Sequence, residues 1–166
     1  MANAELLAHL EAGARDLRDS LDGITDEAAG KSLGTGRWSV LECVEHVAMG
    51  EEVMLARLTA AVPAPALRNE GRERIILARG ADRTRRAESP EPARPAGRFA
   101  TVSAAMNRFL ELRSETERFV RECPRDLHEV AATHPLVGPV NGYELVLIMA
   151  VHPARHAGQI REIRGL

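Results

Sequence analysis

The sequence predicts an all-α chain folded as an antiparallel four-helix bundle, on three observations. Four segments carry apolar residues at three- and four-residue intervals, each bounded by capping or stop signals. Alanine and leucine are abundant, aromatics make up only 3%, and no segment shows a convincing strand alternation. The connections are unequal, with a long loop between helices two and three. A chain of 166 residues fits one domain over residues 1–166, and that size buries roughly 68–70% of its unfolded surface.

Helix one is expected over about 4–21, where Leu6, Leu7, Leu10, Ala14, Leu17 and Leu21 share a face and Asp22-Gly23 offers a stop. A polar connection follows, with room for a short turn near Thr25 to Ala29. Ser39-Val40-Leu41-Glu42 reads as a capping box for helix two, and Trp38 precedes it as a candidate staple. Val40, Val44, Val47, Met54, Leu55 and Leu58 carry the stripe until Pro63 and Pro65 end it. Residues 63–99 are dense in proline and arginine. A modest helix over Arg72 to Arg79 is expected there, then a long loop from Arg83 to Phe99. Thr101 caps helix three, which runs through Val102, Met106, Phe109, Leu112 and Val120 to Cys123-Pro124. After a turn-rich connection over His128 to Pro139, Asn141 and Glu144 form a second capping box. Helix four runs from there to about Arg164, with Gly165 behind it.

The bulk properties exclude several classes. A net charge of −2 supplies no global attraction to nucleic acid or anionic membrane. The longest strongly apolar run, Leu145 to Val151, is far short of the roughly 20 residues a membrane helix requires. Two cysteines, Cys43 and Cys123, are too few for a disulfide framework, and the N-terminus has charged residues where a signal peptide would be apolar. The expectation is a soluble cytoplasmic protein.

The chemistry concentrates at the end of helix four. His152 and His156 are four residues apart, which on a helix stacks both rings on one face at about 5–6 Å between Cβ atoms. Six histidines in this length give about 0.2 such pairs by chance, so the spacing alone is weak. It leaves two readings open, a pair of metal ligands or ordinary core and surface histidines. His46, beside the stripe of helix two, could add a third ligand, or be a helix histidine at the core edge. Gly50, one turn later, would leave space beside its ring. His9, His128 and His134 read as surface or loop residues. Pro153 removes a hydrogen bond to the Met149 carbonyl and crowds it, so helix four is expected to kink there while still presenting both rings.

These residues carry a resemblance. Trp38-Ser39-Val40-Leu41-Glu42-Cys43-Val44-Glu45-His46-Val47 resembles the second helix of DinB-like proteins. His134-Pro135-Leu136-Val137-Gly138-Pro139, followed by His152, Arg155-His156 and Gln159-Ile160, is similar to that family's last loop and helix. The likeness spans essentially the whole chain. It implies an up-and-down-type four-helix bundle, often dimeric, with a divalent metal held by three histidines, which by position are His46, His152 and His156. Family members with known activity include transferases and isomerases using low-molecular-weight thiols. Others are described only as metal-dependent hydrolases, and many have no assigned activity. The family's name reflects induction by DNA damage and does not imply DNA binding.

The function expected on this basis is a metal-dependent enzyme acting on a small molecule. Three neutral imidazoles leave an ion its full charge and open positions, so it can activate a small thiol for S-transfer or water for hydrolysis. Zinc or nickel is expected ahead of iron or cobalt, and a low-molecular-weight thiol is a candidate co-substrate. No catalytic acid or base is assigned. Glu45 and Arg155 read as exposed salt-bridging residues, Gln159 as a residue near the site, and Cys43 and Cys123 as packing residues. The competing reading is a non-catalytic metal-stabilised or small-molecule-binding dimeric bundle. Nucleic-acid binding through Arg68 to Arg98, where nine arginines against five acidic residues leave +4, is disfavoured because no aromatic lies between Trp38 and Phe99.

Overall fold

The computed structural model describes residues 2–84, 89 and 91–166. Four long helices carry the architecture: α1 (Ala2–Ser20), α3 (Val40–Thr59), α5 (Val102–Glu122) and α6 (Gly142–Arg164). Two shorter ones, α2 (Asp26–Ala29) and α4 (Glu70–Arg79), sit in the connections. The capping signals act as expected. Ser39 and Glu42 close a full capping box on α3, Thr101 caps α5, and Asn141 and Glu144 close the box on α6. Gly165 ends α6 in the left-handed region at φ 70°, where a side chain would be strained.

The bundle is the expected one, but its helices are not in simple up-and-down order. α1 packs on α6 and α5, and α3 packs on α5 and α6, so the consecutive pair α1 and α3 lies across a diagonal. Long connections on either side of α3 and before α6 make this crossing possible. Leu6, Leu10, Leu58, Leu145 and Met149 fill one part of the core, and Leu17, Val44, Val47, Phe109 and Ile160 the other.

The expectation of no strands is corrected by a small antiparallel sheet, β1 (Val62–Pro63), β2 (Val130–His134) and β3 (Gly138–Asn141), in the order β1-β2-β3. Ala131 pairs with both Val62 and Asn141, and His134 with Gly138 across a hairpin closed by Gly138 at φ 81°. Val130 and Val140 turn inward to the core. These strands are two to five residues long and include Pro63 and Pro139, so neither length nor alternation marks them in the sequence.

Candidate metal centre

Three imidazoles meet at the seam of α3 and α6. The Ser39 box fixes the start of α3, with Ser39 Oγ accepting from the Glu42 amide at 3.2 Å and Glu42 Oε2 from the Ser39 amide at 2.7 Å. His46 follows two turns on. α6 continues unbroken through Pro153 and presents His152 and His156 on one face. Ring centroids lie 4.9 Å apart for His46 and His152, 4.6 Å for His46 and His156, and 4.8 Å for His152 and His156. The three candidate ligand atoms all fall within 4.8 Å of one another.

Hydrogen bonds fix which nitrogens face inward. His46 Nδ1 lies 2.6 Å from the Ala93 carbonyl oxygen, and His156 Nδ1 lies 2.9 Å from Gln159 Oε1. Only a protonated nitrogen can donate to those oxygens, so each ring carries its lone pair on Nε2. His46 Nε2 is 3.0 Å from His152 Nε2, about the spacing of neighbouring ligands on one ion with bonds of about 2.0–2.1 Å. His152 Nδ1 is sealed from solvent without a hydrogen-bond partner, the one such side-chain atom among the described residues. A buried polar atom left unpaired is costly. The donor set, with the Nε2 atoms of His46 and His152 at 3.0 Å, therefore fits an ion bound at Nε2, which leaves the cost at His152 Nδ1 unrelieved.

Burial is the main cause that holds all three rings neutral. It lowers His46 below the ordinary histidine range against an opposing hydrogen bond from Ala93. His152 is pushed well below it by burial, reinforced by His156 and His46, and His156 falls to about 3. At neutral pH no proton competes for the inward lone pairs.

The surroundings of the cluster were only partly legible. Trp38 lies against the imidazoles, 4.8 Å from His46 and 6.2 Å from His156 between ring centroids. Gly50 makes room for His152 rather than His46, since a Cβ there would sit 2.8 Å from His152 Cε1. The segment expected as a plain loop holds a short helical turn, Glu91–Ala93, which supplies the Ala93 carbonyl, with Ser89 Oγ 3.3 Å from the same His46 nitrogen. The Ala93 contact is made by a backbone atom, and no sequence signal points to it.

Glu45 corrects another expectation. It is buried at 1% exposure, and its Oε1 accepts the amides of Ala96 and Arg98 at 2.7 and 3.1 Å. A carboxylate satisfied by two backbone amides has no need of solvent, so it pins the loop over the site instead of pairing on the surface. Arg155, also expected to be exposed, is partly buried and donates to the Asp82 carbonyl. Gln159 holds His156 and also accepts from Arg83. Cys43 is fully buried, and burial pushes its thiol up to about 12, leaving it unable to act as a thiolate.

The remaining histidines fall elsewhere. His9 is half-buried on α1, and His134 Nδ1 accepts the amides of Leu136 and Val137 inside the hairpin. His128, expected at the surface, is 3% exposed and stacked on Tyr143 at 4.3 Å, with Asp126 and Glu73 at its two nitrogens. In the arginine-rich stretch Arg68, Arg72, Arg74, Arg83 and Arg98 each pair with a carboxylate. Arg85, Arg86 and Glu88 lie outside the described residues. No helix among the described residues is long and apolar enough to cross a membrane.

Fold and site together define a four-helix bundle with a three-imidazole cluster on one helix seam. The chain belongs to the DinB superfamily, whose family model matches residues 9–160. Its fold is similar to that of YfiT from Bacillus subtilis, with a TM-score of 0.63 at 15% identity, covering 98% of this chain and 86% of that one. YfiT is described as a probable metal-dependent hydrolase with an unusual four-helix bundle topology. No curated protein matches the chain.

Proposed function

We propose that this chain is a metal-dependent enzyme in which His46, His152 and His156 hold a divalent ion that activates a nucleophile against a small-molecule substrate. The observation that carries this reading is the inward convergence of three neutral imidazoles, two of them oriented by outer hydrogen bonds that leave Nε2 as the lone-pair nitrogen. When bound there, a divalent ion supplies Lewis acidity that draws the pKa of a coordinated water or thiol toward neutrality.

The chain's own residues set the character of the site. The outer partners of His46 and His156 are a backbone carbonyl and an amide side chain, both uncharged. No carboxylate is hydrogen-bonded to any of the three rings among the described residues. The set therefore leaves the ion's charge undiminished, which favours an anionic ligand such as a thiolate or hydroxide. With Cys43 buried and protonated, the nucleophile comes from solution. That favours a low-molecular-weight thiol or water over a covalent enzyme intermediate. YfiT's description as a probable metal-dependent hydrolase supports the hydrolytic branch.

The test is a paired assay on zinc- and nickel-loaded protein, with several small thiols against an electrophilic substrate and with activated esters in water. Turnover with either, lost in His156→Ala, is the expected result, and the active branch names the nucleophile. A metal-loaded protein inert in every arm would instead favour the non-catalytic binding bundle.

A further inference from the structure

Pro153 stands between two of the three imidazoles, yet α6 continues through it. A proline there cannot donate to the Met149 carbonyl four residues back. Met149 is fully buried, so that carbonyl has no water to turn to. Its partner comes from another helix: Arg113 Nη2, on α5, donates to it at 2.8 Å.

The guanidinium making this bond is itself held on every side. Nε and Nη2 meet the two carboxylate oxygens of Glu51 on α3, both at 2.9 Å, and Nη1 donates to the Leu10 carbonyl on α1 at 2.8 Å. Thr116 Oγ1 donates to Glu51 at 2.8 Å, and the Phe109 ring lies 5.0 Å from the guanidinium carbon. Arg113 is 2% exposed and Glu51 1%. One side chain of α5 thus touches each of the other three long helices, and its bond to α6 falls on the carbonyl that Pro153 strands.

The same level of the bundle carries the His152 slot. Gly50, which gives that ring its room, directly precedes Glu51 on α3. On the other side, Gly13 of α1 presses so closely that a Cβ there would meet the Ala150 carbonyl oxygen of α6. The backbone of α6 is therefore braced on both flanks just before the histidines.

We infer that Arg113 is a positioning residue for the metal centre. By replacing the hydrogen bond that Pro153 cannot make, and anchored by Glu51, it holds the turn bearing His152 and His156 in register with His46. A guanidinium is suited to this because its fixed fork grips a carboxylate while a remaining N–H reaches a carbonyl. The inference rests on the metal-centre reading above. A core ion pair with a general stabilising role would make no distinction between proline and alanine at position 153, and that difference is testable.

The experiment compares wild type, Pro153→Ala, the double variant Glu51→Gln/Arg113→Met, and the triple combination. Co2+ affinity and its visible absorption spectrum are read by titration, and amide hydrogen exchange over residues 149–157 is read on the metal-free proteins. The Pro153→Ala substitution restores the amide that bonds Met149, so it makes Arg113 dispensable there. The double variant is expected to weaken Co2+ binding about 10-fold, the scale of outer-ligand substitutions, with an altered spectrum and faster exchange. In the Pro153→Ala background its effect is expected to shrink to about twofold, the scatter of uncoupled sites. An equal loss in both backgrounds overturns the inference. If the double variant does not fold, Arg113→Lys in both backgrounds replaces it, because the single ammonium keeps the charge but cannot span Glu51 and Met149 together. A wild type that binds no Co2+ is a different failure, that of the metal reading itself. The exchange data then decide separately whether Arg113 braces the Pro153 turn.

Discussion

Two buried histidine sites in this molecule are built on opposite principles. His128 has a carboxylate oxygen at each ring nitrogen, Asp126 at 2.7 Å and Glu73 at 3.1 Å, with Tyr143 stacked on its face. Every polar atom of that ring is engaged by the protein. At the α3–α6 seam, among the described residues, outer partners hold His46 and His156, His152 Nδ1 has none, and on the inner side the imidazoles meet only one another, His46 Nε2 lying 3.0 Å from His152 Nε2. The first arrangement is complete as it stands, whereas the second leaves lone pairs converging on one another. Burial alone does not distinguish a structural histidine from a ligand. The distinction lies in whether the inward nitrogen already has a partner.

The comparison breaks most sharply by removing one ring from each site. His156→Ala deletes a direct ligand and is expected to lower zinc affinity by upwards of about 100-fold, since outer-partner substitutions alone cost about 10–100-fold. His128→Ala is expected to leave affinity within about twofold, as uncoupled sites do. It should instead lower unfolding stability by about 2 kcal/mol or more, from lost hydrogen bonds and a cavity against Tyr143. Chelator-competition titration and urea denaturation of both variants check this. Equal losses of affinity would erase the difference between the sites.

A finer test separates metal affinity from stability within the imidazole site. Gly50 is buried, so the roughly 1 kcal/mol by which alanine favours a helix over glycine is set against the cost of displacing the His152 ring, and Gly50→Ala is expected to leave the metal-free protein about as stable as before. Its Cβ would nevertheless lie 2.8 Å from His152 Cε1, and the ring must move off the convergence point. The expected result is a loss of zinc affinity of about 10-fold, comparable to disturbing an outer partner, without a fall in the urea midpoint. A lowered midpoint with unchanged affinity would show that Gly50 serves backbone packing and not the ring.

What the sequence made legible follows the range of the interactions. The long helices were readable because caps and stripes are local: Ser39 with Glu42 and Asn141 with Glu144 act across three residues. The three histidines were nameable from spacing together with resemblance, and the structure brings those same three side chains together. The sheet is not legible because its strands are two to five residues long and two of the three contain a proline. The burial of Glu45 is not legible because nothing local reveals that the Ala96 and Arg98 amides fold back onto it. Arg113 raised no signal at all. Its meaning depends on Glu51, Leu10 and Met149, residues brought together only by the bundle.

The smallest expected effect sharpens the carboxylate side of the comparison. Asp126 accepts the backbone amide and ring of His128, which together with Arg68 draw its carboxyl down to about 2 from an ordinary 3.8. A depressed carboxyl contributes stability that is fully present above its unfolded pKa and is lost as pH falls through the folded one. Asp126→Asn removes that contribution. The stability gap between wild type and Asp126→Asn is therefore expected to be constant from pH 7 down to about 4 and to close between about pH 4 and 2. Because Asp126 is partly exposed, solvent screening keeps the gap modest. Asp126 makes no contact with the imidazole cluster, and among the described residues no carboxylate is hydrogen-bonded to it, so zinc affinity at pH 7 should be the same in both proteins. Urea unfolding across that pH range reads the first expectation and zinc titration the second. A gap that stays unchanged down to about pH 2 would mean that Asp126 acts through packing and not through its charge.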